Sequence, residues 1–386
     1  LAKGLGSLLW TCLPKRRRLA TESIARHLEL SQATAESLAR ASFTHNARSF
    51  LESVLVPEFG LSHPLLDVER PDLLERLKRG ERPSVITTAH LGAWELLASL
   101  LGDVSDHPRL TVVRTYKNKL MDYVTTRLRS SHGADVIGHR EAAFPVLRAL
   151  RKNGYAAFLA DHNTSRSEAF FLPFLGEEAA VNKGPAVLAV RAKALVWPIA
   201  LIRDGDRYRI IIEEPLDTAL LEGDAEEKAL AVAAFYTEAN ERMVRRAPDQ
   251  WFWMHNRWKT KRVMDENPES VLRQVVDEND GHVSGQSAFI AARRGDPIGQ
   301  YVCNAYIDYL CAGIVNLVNI FQPDTLAIGG GVSNEQDEQL LFPVRRIVAQ
   351  QSIPCEPDKR TRIVKAELGS NAGIIGAALL GKKKRI

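Results

Sequence analysis

Cysteine is scarce in this 386-residue chain, and its four cysteines are not spaced as a metal or redox motif. Cys12, Cys303, Cys311 and Cys355 form no CxxC pair and have no histidine nearby at metal-ligand spacing. A disulfide framework is not expected from so few cysteines in a chain of this length, so we expect a reducing compartment. We predict no metal site and no cofactor.

Long hydrophobic runs and a large net charge are also missing. The formal net charge of +4 is too small to predict nucleic-acid binding. No apolar run reaches the roughly 18 residues that a membrane-spanning helix needs. Two basic clusters, 15–18 and 382–385, are the kind of sequence most often found at solvated chain ends. The first cluster directly follows the apolar stretch 5–13, and that combination also suits an anionic membrane surface.

The distribution of apolar residues divides the chain into regions. Residues 1–55 are predicted to be helical and amphipathic, and their core candidates are Ile24, Leu28, Leu30 and Leu38. From about residue 80, short apolar runs alternate with helical patterns, which is typical of an α/β layered sheet that binds ligands beyond its strand ends. The predicted strands are Ser84–Thr88, Leu110–Arg114, Tyr155–Ala160, Leu195–Ile202 and Tyr208–Glu213. A long helix is predicted over Glu226–Arg246, and a polar stretch near residue 262 marks a boundary.

His90 and Glu95 are the first candidates for catalysis. His90 follows a predicted strand and precedes a helix, and Glu95 lies five residues further on. Transfer of an acyl group to a hydroxyl needs a base, and histidine is suited to this near neutral pH when a carboxylate orients it. The spacing requires His90 to sit just before the helix and to fold back over it to meet Glu95. A lone His-x4-Glu pattern is nevertheless more often explained by a capping or core histidine.

Further polar residues follow predicted strands or lie near the end of this region. Arg114 and Asn118 follow one strand, and Asp161 follows another, where a turn or helix cap is an equally good explanation. The segment 251–259 interleaves aromatic and basic residues, among them His255, Arg257 and Lys259. Such a mixture suits nucleic-acid stacking or an interfacial belt that binds lipid phosphates, and the sequence leaves both open.

Taken together, these segments resemble the bacterial lipid A late acyltransferases (the lauroyl and myristoyl transferases) of the lysophospholipid acyltransferase superfamily. The resemblance covers about residues 5–262, and its ordered pieces are more specific together than singly. The matching elements are His90 with Glu95, Arg114 with Asn118, Gly133–Ile137, Asp161-His162, Pro173-Phe174-x-Gly176, Gly184–Ala189 and His255-x-Arg257-Trp258-Lys259.

The resemblance implies an acyltransferase domain over about residues 56–262. It implies an acyl carrier protein or acyl-CoA thioester as donor and a phosphorylated glycolipid, such as a lipid A precursor, as acceptor. His90 would be the general base and Glu95 its partner. Arg114, Asn118, Asp161, His255, Arg257 and Lys259 would bind substrate. The expected location is the cytoplasmic face of the inner membrane, on an anionic surface, with attachment either peripheral or through a segment missing before Leu1.

Residues 267–386 have a different character. The sequence Asp324–Ile328 predicts a strand, and Gly329, Gly330 and Gly331 follow it directly. A glycine turn after a strand can let a phosphate approach the backbone, although a tight turn is the commoner explanation. With Asn316–Pro323 before it and Leu368–Ala378 after it, the segment resembles the C-terminal third of a ROK-family sugar kinase, such as a bacterial glucokinase. That resemblance implies a partial actin-like α/β segment with a weak remnant of a nucleotide site.

The remaining kinase motifs are absent from the sequence. It contains no Asp-x-Gly-Gly-Thr phosphate loop, and its Gly281-His282 step is followed by Val283 where the kinase has aspartate. We therefore expect residues 267–386 to contribute nothing to acyl transfer and to fold poorly, because the strands that should pair with Asp324–Ile328 are missing. Two other functions stay open. One is a ROK-type remnant that binds sugar or nucleotide, and the other is a membrane-surface protein in which His90 is structural.

Overall fold

The computed structural model describes residues 1–116, 118–261, 263–279, 283–353 and 360–366. The chain divides into two compact units, Leu1–Lys261 and Arg262–Ile386. Each unit has hydrophobic clusters of its own.

Three helices open the first unit. They are α1 (Ala2–Cys12), α2 (Pro14–His27) and α3 (Gln32–Glu52), and a 3-10 segment, Ser53–Glu58, follows. Pro14 occupies the first turn of α2, where its missing N–H is not needed, and the Ser31 hydroxyl caps α3 at Thr34. Among the core candidates predicted here, Ile24 is buried, and Leu28, Leu30 and Leu38 pack against the same cluster.

A mostly parallel sheet forms the centre of this unit. Its strands and those of a separate hairpin are β1 (Leu66–Val68), β2 (Ser84–Thr88), β3 (Arg109–Val113), β4 (Asp135–Gly138), β5 (Tyr155–Leu159), β6 (Ala169–Phe174), β7 (Glu177–Asn182), β8 (Leu195–Asp204), β9 (Arg207–Ile212) and β10 (Leu216–Asp217). The sheet order is β1-β9-β8-β2-β5-β3-β4, with β10 on β8, and β6 pairs with β7. Strand β2 is buried along its whole length between β5 and β8, as the interior strand of a covered parallel sheet should be.

Helices cover both faces of the sheet. They are α4 (Pro71–Lys78), α5 (Trp94–Val104), α6 (Lys119–Arg129), α7 (Ala143–Leu150), α8 (Gly184–Ala192) and α9 (Ala225–Arg246). Because side chains alternate along a strand, Val85 and Ile86 of β2 enter two different hydrophobic clusters. The prediction of a layered α/β sheet is confirmed, and the five predicted strands all form with each end within two residues of its predicted position.

The second unit contains α10 (Val263–Glu266), α11 (Val271–Asp277), α12 (Ser287–Arg293), α13 (Pro297–Phe321), β11 (Thr325–Ile328), α14 (Leu341–Gln351) and β12 (Arg362–Lys365). The expectation that the strand near Asp324–Ile328 has no partner is wrong for one of its edges. β11 pairs in parallel with β12, because Arg362–Lys365 supplies a strand that the sequence pattern did not reveal. Ile328 and Ile363 share a core with Ile314 of α13 and Val344 of α14. The segment 368–378 lies outside the described residues.

Within the described residues, one helix is long and apolar enough to cross a bilayer by length and composition. It is α13, whose mean hydropathy is 1.3 over its most apolar window. The sequence pattern gave no such span, because Asn304, Asp308, Asn316 and Asn319 interrupt the apolar residues. A core helix of a soluble protein passes the same test, so α13 is weak evidence for a membrane span.

Candidate active site

His90 and Asp161 meet at the carboxyl edge of the sheet. They follow the neighbouring parallel strands β2 and β5, whose register pairs Thr88 with Leu159. The distance from His90 Nδ1 to Asp161 Oδ1 is 2.8 Å, and the backbone N–H of His90 donates to Asp161 Oδ2 at 2.8 Å. The carboxylate therefore holds both the ring and the backbone of His90.

Asp161 is held in its charged form. Its side chain is buried, and the indole N–H of Trp251 donates to Oδ2 at 2.8 Å. Burial pushes the pKa of Asp161 up, but the charge of His90 and the hydrogen bonds from His90 and Trp251 outweigh it and hold the pKa below its usual range. The charged Asp161 carboxylate accepts a hydrogen bond from the Nδ1–H of His90. Nε2 is then the ring nitrogen that is able to accept a proton.

The backbone around His90 depends on Gly92. Its φ is +61°, and an added Cβ would lie 2.2 Å from the carbonyl oxygen of Leu201. The carbonyl of Gly92 accepts a 2.5 Å hydrogen bond from the Ser49 hydroxyl, and the carbonyl of His90 accepts one of 3.0 Å from the N–H of Phe252. The His-x-Gly spacing thus lets this chain segment pass close to β8 and be fixed from three sides.

Two further histidines lie beside His90. The ring of His162 stacks on His90, with ring centres 3.9 Å apart and planes 15° apart, and His255 lies 4.6 Å from His162. The N–H of Asn163 donates to His255 Nε2 at 3.1 Å. Burial, with the charge of His90 as a further cause, lowers the pKa of His162 to about 3 and that of His255 to about 4. Both rings are therefore neutral at pH 7.

Glu95, the expected partner of His90, binds Arg129 of α6. Its two carboxylate oxygens accept hydrogen bonds of 2.7 and 2.9 Å from the guanidinium. Burial opposes the charge on Arg129, but the charge and hydrogen bonds of Glu95 raise its pKa. In the described part of the chain Glu95 has no hydrogen bond to His90. The reason is geometric: α5 begins at Trp94, so its first turn directs Glu95 towards α6, while Asp161 on the neighbouring strand reaches His90.

The other predicted site residues are spread over different environments. Arg114 follows β3 and is exposed. The side-chain oxygen of Asn118 caps α6 by accepting from the N–H groups of Leu120 and Met121. Lys259 is exposed. Of the predicted set, the structure brings together His90, Asp161 and His255.

The interpretation of 251–259 as a surface belt or a nucleic-acid surface is wrong for its aromatic residues. Trp251, Trp253 and Trp258 are buried in the cluster that also holds Phe174. Arg257 is buried as well, donates to the carbonyl of Ala180 at 2.6 Å, and lies over the Phe174 ring. Burial lowers its pKa to about 10. The alternation of aromatic and basic residues therefore reflects core packing around one buried guanidinium.

An apolar cavity lies on the α5 face of the sheet. It reaches Thr88 and Leu159, the last residues of the two strands that carry His90 and Asp161. Trp94 and Glu95 also line it. The rest of its lining is mainly aliphatic and includes Leu61, Leu74, Leu77, Leu101, Val104 and Ile199. The cavity therefore shares with His90 and Asp161 the strands β2 and β5.

The family can now be assigned. Residues 1–260 match the model of the bacterial lipid A biosynthesis acyltransferase family, and this match covers more than half of the chain. The chain belongs to this family. The lipid A biosynthesis palmitoleoyltransferase of Escherichia coli is 30% identical over 200 residues, covering 51% of this chain and 62% of the relative. The phosphatidylinositol mannoside acyltransferase of Mycolicibacterium smegmatis is 28% identical over 203 residues, covering 51% and 66%. The chain thus spans less than two thirds of the length of these relatives.

The second unit of this acyltransferase-family chain matches another family. Residues 268–384 match the ROK family model. The glucokinase of Streptomyces coelicolor is 26% identical over 246 residues, covering 57% of this chain and 77% of the relative. Both resemblances drawn from the sequence are confirmed.

The predicted nucleotide remnant lies in a turn after β11. Gly330 has a φ of +81°, and an added Cβ at Gly330 or Gly331 would meet no atom within 4 Å. The Ser333 hydroxyl donates to the carbonyl of Gly330 at 2.7 Å. Gly329 directly precedes this turn. The positive φ of Gly330 accounts for a glycine in this turn. Nucleotide binding at Gly329–Gly331 stays a prediction.

Sequence reasoning missed the roles of three residues that shape this acyltransferase-family site. Asp161 was considered as a substrate-binding or turn residue and not as the partner of His90. His162 and Trp251 have no individual role predicted from the sequence, although both lie in segments that the motif comparison or the aromatic-basic pattern singles out. The available signal was the strand pattern, because adjacent parallel strands place Asp161-His162 next to His90.

Proposed function

We propose that this chain transfers a fatty acyl group from a thioester to a hydroxyl of a glycolipid, with His90 as the general base. The observation that supports this most directly is the contact of 2.8 Å between His90 Nδ1 and the buried Asp161 carboxylate. Such a pair fixes the ring, leaves Nε2 as the acceptor, and stabilises the imidazolium once a proton arrives. Family membership supports the same reaction class.

The proton and electron movements follow from this tautomer. Nε2 of His90 removes the hydroxyl proton as the oxygen attacks the thioester carbonyl carbon. The tetrahedral intermediate then collapses, the C–S bond breaks, and the sulfur leaves with the proton returned by His90. Asp161 keeps its charge throughout and orients the ring. In this proposal Asp161 takes the orienting part first expected of Glu95, and Glu95 positions α6 through Arg129.

The remaining site features support a lipid substrate. The cavity beside Thr88 and Leu159 is lined mainly by apolar side chains, which suits contact with an apolar part of a substrate. Arg114 and Lys259 are exposed cations that we assign to acceptor phosphate, and His255 adds a neutral polar ring near His90. The donor carrier is an acyl carrier protein or coenzyme A, and the acceptor is a phosphorylated glycolipid such as a lipid A precursor.

The test is acyl transfer by the purified chain, with acyl carrier protein and coenzyme A thioesters as donors and a lipid A precursor as acceptor. His90→Ala should lower turnover at least about 100-fold, because the general base is lost. Asp161→Asn should also lower it about 100-fold or more, because the ring loses its fixed tautomer. His139→Ala is the control, since His139 is an exposed histidine and should leave turnover unchanged. Near-normal turnover in a folded His90→Ala protein would remove the basis for this proposal.

A further inference from the structure

Helix α6 presents an unusual surface for a helix on a folded domain. Leu120 and Tyr123 expose 69% and 63% of their surface, and Met121 and Val124 are exposed as well. No residue of this helix is buried. Leu120, Tyr123, Val124 and Arg127 are spaced three, four and seven residues apart, so they lie on one face. The apolar face of α6 therefore points to the outside.

The opposite face of α6 is held to the domain by polar groups. The Asp122 carboxylate accepts a 2.8 Å hydrogen bond from the N–H of Tyr116, and Arg129 binds the two oxygens of Glu95. A helix on the surface of a soluble protein normally shows the reverse arrangement, with its apolar face inward. Exposed apolar residues grouped in this way indicate an interaction surface.

This surface lies on the edge of the sheet that carries the candidate active site. Tyr116 follows β3, and Phe144, which exposes 72% of its surface, lies in the first turn of α7 after β4. β3 and β4 run parallel to the strands that end next to His90 and Asp161. Tyr116 and Phe144 thus follow the carboxyl ends of β3 and β4, at the edge of the sheet where His90 and Asp161 follow β2 and β5, and α6 begins beside Tyr116.

Positive charges accompany the apolar side chains. Arg114, Lys119 and Arg127 are exposed, and none of them forms an ion pair with any described residue. Asp122, the acidic residue of α6, is on the inner face with Tyr116. Aromatic and aliphatic side chains interleaved with free cations complement an anionic lipid surface, where apolar groups enter the headgroup layer and cations meet phosphates.

We propose that the outer face of α6, together with Tyr116, Phe144, Arg114, Lys119 and Arg127, docks this chain on an anionic lipid bilayer with the His90 edge towards the membrane. This partner assignment rests on the proposed function in one respect, because a glycolipid acceptor presents its hydroxyl at the headgroup layer. An acidic carrier protein would also be attracted by the cations. The bilayer is favoured because large apolar side chains protrude from a convex helix and do not line a groove.

The apolar part is tested by sedimentation of the full chain with vesicles of phosphatidylglycerol and phosphatidylethanolamine. The double variant Leu120→Asn/Tyr123→Asn should bind at least about tenfold more weakly than the unchanged chain, because it removes two inserted side chains. The matched control is Leu220→Asn/Leu230→Asn, which replaces two exposed leucines elsewhere in the first unit and should bind normally. Thermal unfolding checks that both variants are folded. Equal binding by the two double variants would overturn the proposal.

The charged part is tested in the same assay with Lys119→Gln/Arg127→Gln. Each removed cation should weaken binding about fivefold at low salt, and the dependence on salt should become shallower. Vesicles of phosphatidylcholine, which carry no net charge, should bind the unchanged chain much more weakly. Salt-independent binding, or equal binding to neutral and anionic vesicles, would contradict the electrostatic assignment.

Two further measurements separate docking from chemistry. His90→Ala should bind vesicles like the unchanged chain, and the Leu120/Tyr123 double variant should still transfer acyl groups to an acceptor dispersed in detergent. Turnover retained in His90→Ala would overturn the proposed function and leave the docking surface intact. If the α6 variants bind vesicles normally but fail to retain acyl carrier protein, the surface belongs to that carrier and the bilayer assignment is wrong.

Discussion

At the scale of single residues, the histidine cluster places two neutral rings, His162 and His255, near His90, the proposed general base. His162 and His255 have pKa values of about 3 and 4, lowered by burial and by the nearby charge of His90. The stacked contact of 3.9 Å between His90 and His162 places two imidazoles face to face, where two positive charges would repel each other. In the proposed mechanism, a neutral His162 leaves no second positive charge beside His90 when that ring takes the substrate proton.

This cluster predicts that the folded chain loses stability on acidification. A histidine with a lower pKa in the folded than in the unfolded state, where it is about 6.5, binds fewer protons when folded. Its stabilising contribution is therefore present above pH 6.5 and is lost as the pH falls below that value. From pH 7 to pH 5 the loss is about 2 kcal/mol for such a histidine. Urea denaturation at both pH values measures the free energy of unfolding. In His162→Asn its decrease from pH 7 to pH 5 should be smaller by this amount, whereas exposed His139→Asn should show the same decrease as the unchanged chain. An identical pH dependence in His162→Asn would contradict the prediction.

Gly92 supports a second prediction at the residue scale, and Gly205 provides its control. Both have φ near +60°, but an added Cβ meets the Leu201 carbonyl oxygen at Gly92 and nothing within 4 Å at Gly205. Gly205→Ala should cost about 1 kcal/mol from backbone strain alone. Gly92→Ala should cost about 2 kcal/mol more, because β8 and the His90 segment must separate. It should also lower acyl transfer. Equal free energies of unfolding in the two variants would show that the close approach to Leu201 is unimportant.

At the scale of secondary structure, the ion pair between Glu95 and Arg129 connects α5 to α6. Both side chains are largely shielded from water, and the pair is bidentate, which favours a defined geometry. Because α6 has no buried residue, this pair and the hydrogen bond from the Tyr116 N–H to Asp122 are polar contacts that hold it in place. In the proposed mechanism, Glu95 acts on the active site through the position of α6.

A double-mutant cycle tests this role of Glu95. Glu95→Gln and Arg129→Met should each lower the free energy of unfolding by about 1 to 3 kcal/mol, because either change alone leaves a partly buried charge without its partner. The double variant should lose less than the sum of the two single variants. Acyl transfer by the two single variants should fall by similar factors. If Glu95→Gln abolishes turnover while Arg129→Met retains it, Glu95 acts directly in catalysis, as its spacing from His90 first indicated.

At the scale of the whole molecule, the two units have separate hydrophobic clusters. The first unit contains the sheet, the His90–Asp161 pair and the apolar cavity within Leu1–Lys261. The second unit has its own core around Ile314, Ile328 and Val344. The described part of residues 267–386 thus contains a paired strand and a shared core, and poor folding of the segment as a whole stays a prediction.

Truncation after about residue 264 tests whether the second unit takes part in the reaction. We expect unchanged thioester turnover in the shortened chain, because each residue assigned to the reaction lies before Arg262. Turnover of the full chain is the control, and circular dichroism shows whether the shortened chain is folded. Loss of turnover in a folded truncated chain would show that acyl transfer requires both units. Saturable nucleotide binding to the full chain, abolished by Gly330→Val, would support a ligand site at Gly329–Gly331.

The sequence by itself determined five strands of the central sheet, helix α9 and their order along the chain. Apolar runs such as Ser84–Thr88 predict buried strands because a covered parallel strand has little place for polar side chains, and α9 is signalled by its apolar spacing. It also placed His90 directly after a strand. These are local properties, because they depend on residues that are close together in the chain.

Only the tertiary structure decided which distant groups meet. Asp161 reaches His90 because β5 is the neighbour of β2, a pairing between residues 71 positions apart, and the same folding turns Glu95 towards Arg129. The aromatic segment 251–259 enters the core, while the apolar residues of α6 remain outside. Composition cannot separate these cases, because burial depends on which surfaces the sheet and its helices bring together.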